Sequence, residues 1–190
     1  PPHIENLCCG LSFENFEEID KQALSDLTQA LTVASKNGKY PIVIDHSACF
    51  SHAFKHIKGL EILDIGEFLY SLLPALDIVK TPEAIMVHQQ CKIKGVGKER
   101  WIAEVARACS ERVFTIKSFA CDGFAGQKGF FTPELNQCAT KDLAEEIKSV
   151  GATLGVSSSS TCEIGLGENG KIPFVSIAYL LDRCARRKVQ

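Results

Sequence analysis

Between Ala23 and Lys36 the apolar residues Ala23, Leu24, Leu27, Ala30, Leu31 and Ala34 recur at the spacing of one helical face. Gly38 is expected to end that helix. The next run, Tyr40 to Ile44, is short, rich in β-branched residues and unbroken by polar ones, the pattern of a strand covered on both faces and hence of a parallel sheet. The alternation continues. Strands are expected over 61–65, 84–88, 112–116 and 152–156, and helices over 67–76, 98–110 and 133–150, while the apolar segment 173–186 reads as a further helix. Strands and helices alternating through short connections predict an α/β fold with mainly parallel sheets.

A shift of 113 residues lays the chain on itself without gaps: Cys8 on Cys121, Gly10 on Gly123, Gly38 on Gly151, Val43 on Val156, Ser47 on Ser160 and Cys49 on Cys162. Each unit reads Cys-x-Gly, loop, helix, Gly, strand, Ser-x-Cys. The expected division is a first unit over 1–78 and a second over 79–190. In the second unit Cys91 precedes Cys121 by 30 residues, and its counterpart would fall before Pro1. With no initiator Met and a cysteine motif close to Pro1-Pro2, the first unit is expected to be truncated, lacking its opening strand, helix and cysteine.

Composition changes this picture mainly through cysteine. Of 190 residues, 45% are hydrophobic and 23% charged, and the net charge of -2 gives no field favouring nucleic acid or an anionic membrane surface. No run of about 18 apolar residues offers a transmembrane helix, and the start of the chain lacks the basic and apolar segments of a signal peptide. Nine cysteines are an odd number. Together with the missing export signal, that favours metal, cluster or redox roles in a reduced compartment over a disulfide framework.

In a parallel α/β sheet the loops after the strands gather at one edge, where such folds bind ligands. Cys91, Cys121 and Cys162 each follow a strand and are expected to converge there. Thiolates suit iron–sulfur clusters or zinc, and the glycines of Cys121-Asp122-Gly123-Phe124-Ala125-Gly126 let backbone approach an inorganic centre. Asp122 and His88 are the candidates for a fourth ligand.

Cys8-Cys9-Gly10, Asp45-x-Ser47-x-Cys49 and the run from Cys121 to Phe130 resemble the cysteine-rich CCG domains of heterodisulfide reductase and glycolate oxidase iron–sulfur subunits. Pro133-Glu134-Leu135-Asn136, Thr161-Cys162-Glu163-Ile164-Gly165-Leu166 and Ser176 to Asp182 are similar to the C-terminal region of bacterial FAD-dependent D-lactate dehydrogenases of the flavin plus iron–sulfur type. The resemblance runs from Cys8 to about Asp182.

It implies two repeated Rossmann-like CCG units at the C-terminal end of a cytosolic or membrane-peripheral oxidoreductase. Its partners would be the flavin-binding and ferredoxin-like domains of the same polypeptide, with FAD bound upstream. Cys8, Cys9 and Cys49 would belong to the first unit's centre, and Cys91, Cys121 and Cys162, with Asp122 as a metal ligand, to the second. The cofactor would be an iron–sulfur cluster, of the 4Fe-4S kind, or zinc, and the domain would pass electrons from the flavin towards an acceptor. This chain alone would not oxidise lactate.

Two departures from the family pattern stand out: Asp122 replaces a second vicinal cysteine, and His46 and Ser159 replace the first cysteine of a Cys-x-x-Cys pair. A zinc-holding or metal-free docking module is the alternative, and a thiol-disulfide enzyme using Cys8 and Cys9 a third reading. Removal of the upstream partner is expected to leave the first half-site metal-free, with any disulfide from Cys49 to Cys8 or Cys9 an artefact of oxidation. Cys109, Cys138 and Cys184 have no repeat counterpart and read as core or helix-face residues. His3 and His56 read as solvated, and Arg183, Arg186, Arg187 and Lys188 as a solvated basic end of the last helix.

Overall fold

The computed structural model describes Ile4 and residues 7–126 and 128–187; His3, Gln127 and Lys188 lie outside the described residues. Helix α1 (Glu17–Ala34) opens with Glu17, Glu18 and Asp20, carboxylates that its N-terminal dipole favours, and so starts ahead of the apolar stripe. The chain continues through β1 (Ile42–Ile44), α2 (Ser47–His56), β2 (Ile62–Asp64), α3 (Ile65–Leu72), β3 (Leu76–Ile78) and β4 (Ile85–Val87). Next come α4 (Cys91–Lys94), α5 (Arg100–Cys109), β5 (Val113–Thr115), α6 (Lys128–Phe131), α7 (Pro133–Ala139) and α8 (Leu143–Val150). It closes with β6 (Leu154–Ser157), α9 (Ser160–Gly170), β7 (Phe174–Ser176), α10 (Ile177–Cys184) and β8 (Ala185–Arg187).

Several segments differ from the sequence expectation, among them the helix expected over 67–76, which ends at Leu72 and is followed by β3 at Leu76–Ile78. Residues 133–150 are two helices, because the buried Thr140 ends α7 by returning both its backbone N–H and its hydroxyl to the Asn136 carbonyl. Residues 173–186 are strand, helix and strand: the Ser176 side chain caps α10 by accepting from the Ala178 N–H at 3.2 Å. Arg186 therefore lies on β8 rather than on the last helix, and Arg183 pairs with Glu83 at 2.9 Å. The segment from Ser47 to His56, to which the sequence pattern assigns no element, is α2, with Ser47, Phe50, Ser51, His52 and Ala53 buried.

The fold is α/β with parallel sheets. β5, β4, β6 and β7 form one four-stranded parallel sheet in that order, β1 pairs parallel with β2, and β3 pairs antiparallel with β8. The pleat of β4 sends Ile85 and Val87 to one face and Met86 to the other. On the first face they meet Ile102, Val105 and Ala106 of α5, Ile177, Leu180 and Leu181 of α10, and Ile65 and Leu69 of α3. On the second, Met86 joins Leu143 and Ile147 of α8 and Cys162 and Leu166 of α9. A third core holds Leu31 of α1, Phe50 and Ala53 of α2, Ile57 and Ile62, and is completed by Ile93 of α4.

The repeat has a physical counterpart at the contact between the halves. β1, α2, β2, α3 and β3 recur in the same order as β6, α9, β7, α10 and β8. Residues at equivalent positions touch: His46 Nε2 lies 3.1 Å from Ser159 Oγ, 113 residues away, and β3 pairs antiparallel with β8. Such self-meeting of equivalent positions is what an approximate two-fold axis produces.

Candidate metal centre

β4 is the central strand, and the chain leaves it for β5 on one side before crossing to β6 on the other. The order of strands thus reverses between the ends of β4 and β6, the place where open α/β sheets hold ligands. His88 directly follows β4, Ser157 ends β6, and His88 Nδ1 lies 3.0 Å from Ser157 Oγ. Cys91 opens α4, which is capped by the Gln90 side chain accepting from the Ile93 N–H at 3.1 Å. Cys121 lies in the loop after β5, and Cys162 in the first turn of α9.

These residues come together. Cys121 Sγ lies 4.0 Å from Asp122 Oδ1, and the Cys91 and Cys121 thiols lie close enough to shift each other's titration. Cys162 lies near Ser159 and Asp122, both of which act on its thiol. The ligand-type atoms of His88, Asp122 and Cys162 all lie within 4.8 Å of one another, and all three side chains are buried. Asp122 Oδ1 accepts from the Phe124 N–H at 3.3 Å, but Oδ2 is buried and has no hydrogen-bond partner among the described residues. A buried carboxylate oxygen without a partner costs free energy unless a cation or donor meets it.

The loop that carries Cys121 and Asp122 is clamped by Asn136, a residue the sequence reading used only within a resemblance. Asn136 is buried on α7, donates to the Asp122 carbonyl at 2.6 Å, and accepts from Asn169 of α9 at 2.5 Å. Gly123 has φ 72°, and a Cβ there would sit 2.8 Å from the Leu135 carbonyl, so only glycine lets the loop lie on α7. At Gly165 a Cβ would come within 2.7 Å of Asn136 Oδ1, which explains why the Cys-Glu-Ile-Gly block carries glycine.

Electrostatics separate the thiols. The Cys121 thiol is pulled down to about 6, first by its hydrogen bond from Cys91 and then by the Gly123 N–H against the opposing cost of burial. Cys91 moves up, first through that same bond and then through burial, and burial likewise raises Cys162. Burial pushes His88 down to about 4, so its imidazole is neutral, the form that ligates metals.

The first unit repeats the arrangement with different donors. The Gly10 N–H reaches Cys8 Sγ at 3.4 Å, as the Gly123 N–H reaches Cys121 Sγ at 3.5 Å. Cys9 is buried beside Cys49, whose interaction leads in pulling it down to about 6 while raising Cys49, which also feels Cys8 and Asp45. His52 is buried on α2 with its Nε2 2.9 Å from Asp20 Oδ1, and the exposed His56 ring lies tilted against it at 4.6 Å. Cys109 and Cys184 lie in the first core, where burial pushes Cys109 up to about 12, and Cys138 is exposed on α7.

Beside the centre, Glu163 is pushed up by burial from its ordinary 4.5 to about 7, against the pull of the α9 N-terminus. The folded state therefore holds this proton more tightly than the unfolded chain, and stability should fall as pH rises from about 4.5 to 7. Glu163→Gln should flatten that part of the profile and be the more stable protein by about 1–2 kcal/mol at pH 8, after discounting for partial exposure. Urea titrations of both proteins at pH 5 and pH 8 check this, and an unchanged pH slope in the variant would refute it.

Among the described residues no helix is long and apolar enough to cross a membrane. No protein-family model matches the sequence, and no curated protein matches it.

Proposed function

We propose that the chain is a metal-holding, cysteine-rich domain of a flavin-dependent 2-hydroxy-acid dehydrogenase of the D-lactate type, passing electrons from the flavin towards an acceptor. The observation that carries this reading is the gathering of thiols from distant parts of the chain at both equivalent ends: Cys8, Cys9 and Cys49 in one unit, Cys91, Cys121 and Cys162 in the other. The sequence resemblance supplies the enzyme class. Flavin-binding and ferredoxin-like domains upstream, with FAD, are part of that proposal.

The all-thiol set of the first unit suits an iron–sulfur centre, and the second unit, with Asp122, suits an iron–sulfur centre or zinc. A bound metal would also satisfy the orphaned Asp122 Oδ2. Purification without oxygen, followed by iron, zinc and acid-labile sulfide analysis, tests it. Stoichiometric metal per chain is expected, lowered by serine replacement at Cys162. A chain that binds none of these metals, before or after reconstitution, would leave the cysteines as relics within a docking module.

A further inference from the structure

The two thiol gatherings are not chemically alike. Across the 113-residue shift, Cys9 of the first unit corresponds to Asp122 of the second, so a soft donor is replaced by a hard one. At the same place the second unit adds a nitrogen, since His88 closes on Asp122 and Cys162 with all donor atoms within 4.8 Å. Three features mark this as a built site. His88, Asp122 and Cys162 are each more than nine-tenths buried. Among the described residues, the buried Asp122 Oδ2 has no hydrogen-bond partner. Ser157 holds His88 by Nδ1, the outer hydrogen bond that fixes a metal-bound imidazole in its orientation.

Iron–sulfur clusters are held mainly by cysteine thiolates, whereas one nitrogen, one carboxylate oxygen and thiolate sulfur together suit a single tetrahedral divalent ion of intermediate softness. From this geometry we infer that the second unit holds one mononuclear zinc-class ion through His88, Asp122 and Cys162, with the Cys91–Cys121 pair supplying the fourth donor. The inference rests on the proposed function only in that this sheet edge holds metal. It assigns the redox-active centre to the all-thiol first unit and gives the second a fastening role, joining the loops after β4, β5 and β6.

Cobalt(II) is the probe, because thiolate-ligated tetrahedral cobalt shows visible d–d bands and a near-ultraviolet sulfur-to-metal transition. Titration of the reduced chain should give one such ion, displaced by zinc. Ser157→Ala should weaken cobalt binding about 10- to 100-fold through loss of the outer hydrogen bond, and His88→Gln, Asp122→Asn and Cys162→Ser should weaken it further. Cys138→Ser, at an exposed position on α7, should leave it unchanged. Circular dichroism establishes that each variant is folded, and X-ray absorption at the zinc edge of the unmutated chain reads the donor set without any substitution.

A mixed nitrogen, oxygen and sulfur shell is the expected result. An all-sulfur shell, or iron with stoichiometric sulfide that His88→Gln and Asp122→Asn do not disturb, would overturn the mononuclear site while leaving the domain a metal carrier. A chain that takes up neither cobalt, zinc nor iron would overturn both readings.

Discussion

Phe50→Ala should cost about 3–5 kcal/mol, the range found when a fully buried phenylalanine is truncated in a core that cannot collapse around the gap. Phe50 has no exposed surface and sits among Leu31, Ala53, Ile57, Ile62 and Ile93, contributed by α1, α2, β2, α4 and the turn after α2. None of these elements can close the void alone, since each is held by other contacts. The short sheet of β1 and β2 offers little independent stability, so the aromatic ring carries much of this core's burial. Chemical denaturation of the variant should show the loss; a change below about 1 kcal/mol would mean the third core is loosely packed.

Leu180→Ala should cost about 2–5 kcal/mol and, more tellingly, should lower one transition rather than create a second. Leu180 is fully buried on α10, in a core fed by β4, β6 and α5 of the second unit and by α3 of the first. Because Ile65 and Leu69 belong to that core, damage on α10 reaches the first unit directly. Fluorescence of Trp101 on α5 and far-ultraviolet circular dichroism should therefore report the same midpoint. Separate midpoints in Leu180→Ala would show two independently folding halves.

Much of the frame was legible because it was written in local chemistry. β1, β4, β5 and β6 stood out as short β-branched runs, and the paired Cys-x-Gly and Ser-x-Cys segments exposed the duplication. What escaped depends on partners far along the chain. β7 was hidden within an apolar run that continues into α10, and only pairing with Gly155, Val156 and Ser157 makes Phe174–Ser176 a strand. The break at Thr140 keeps the apolar period on both sides and is made by a single buried hydroxyl.

At the site, the loops after three strands, the three cysteines and the candidates Asp122 and His88 could be named from sequence, but not which of them meet. His88 shows its character only beside Ser157, 69 residues later, and Asn136 only where it meets the Asp122 carbonyl. His52 was obscured because its segment has no clean apolar stripe, although Asp20, 32 residues earlier, anchors it. A signal was present in Ser157-Ser158-Ser159, three consecutive hydroxyls that are all buried, which a solvated loop would not explain.

The His46–Ser159 contact has a further consequence. A residue lying on a two-fold axis between identical subunits faces its own copy, so the pair must be histidine with histidine or serine with serine. Here the copies share one polypeptide and have diverged, so an imidazole nitrogen can face a hydroxyl. The same freedom extends outward from the axis to Cys9 and Asp122. Covalent linkage thus releases a repeated fold from the rule that both sides must carry the same chemistry, and permits unlike side chains at equivalent places.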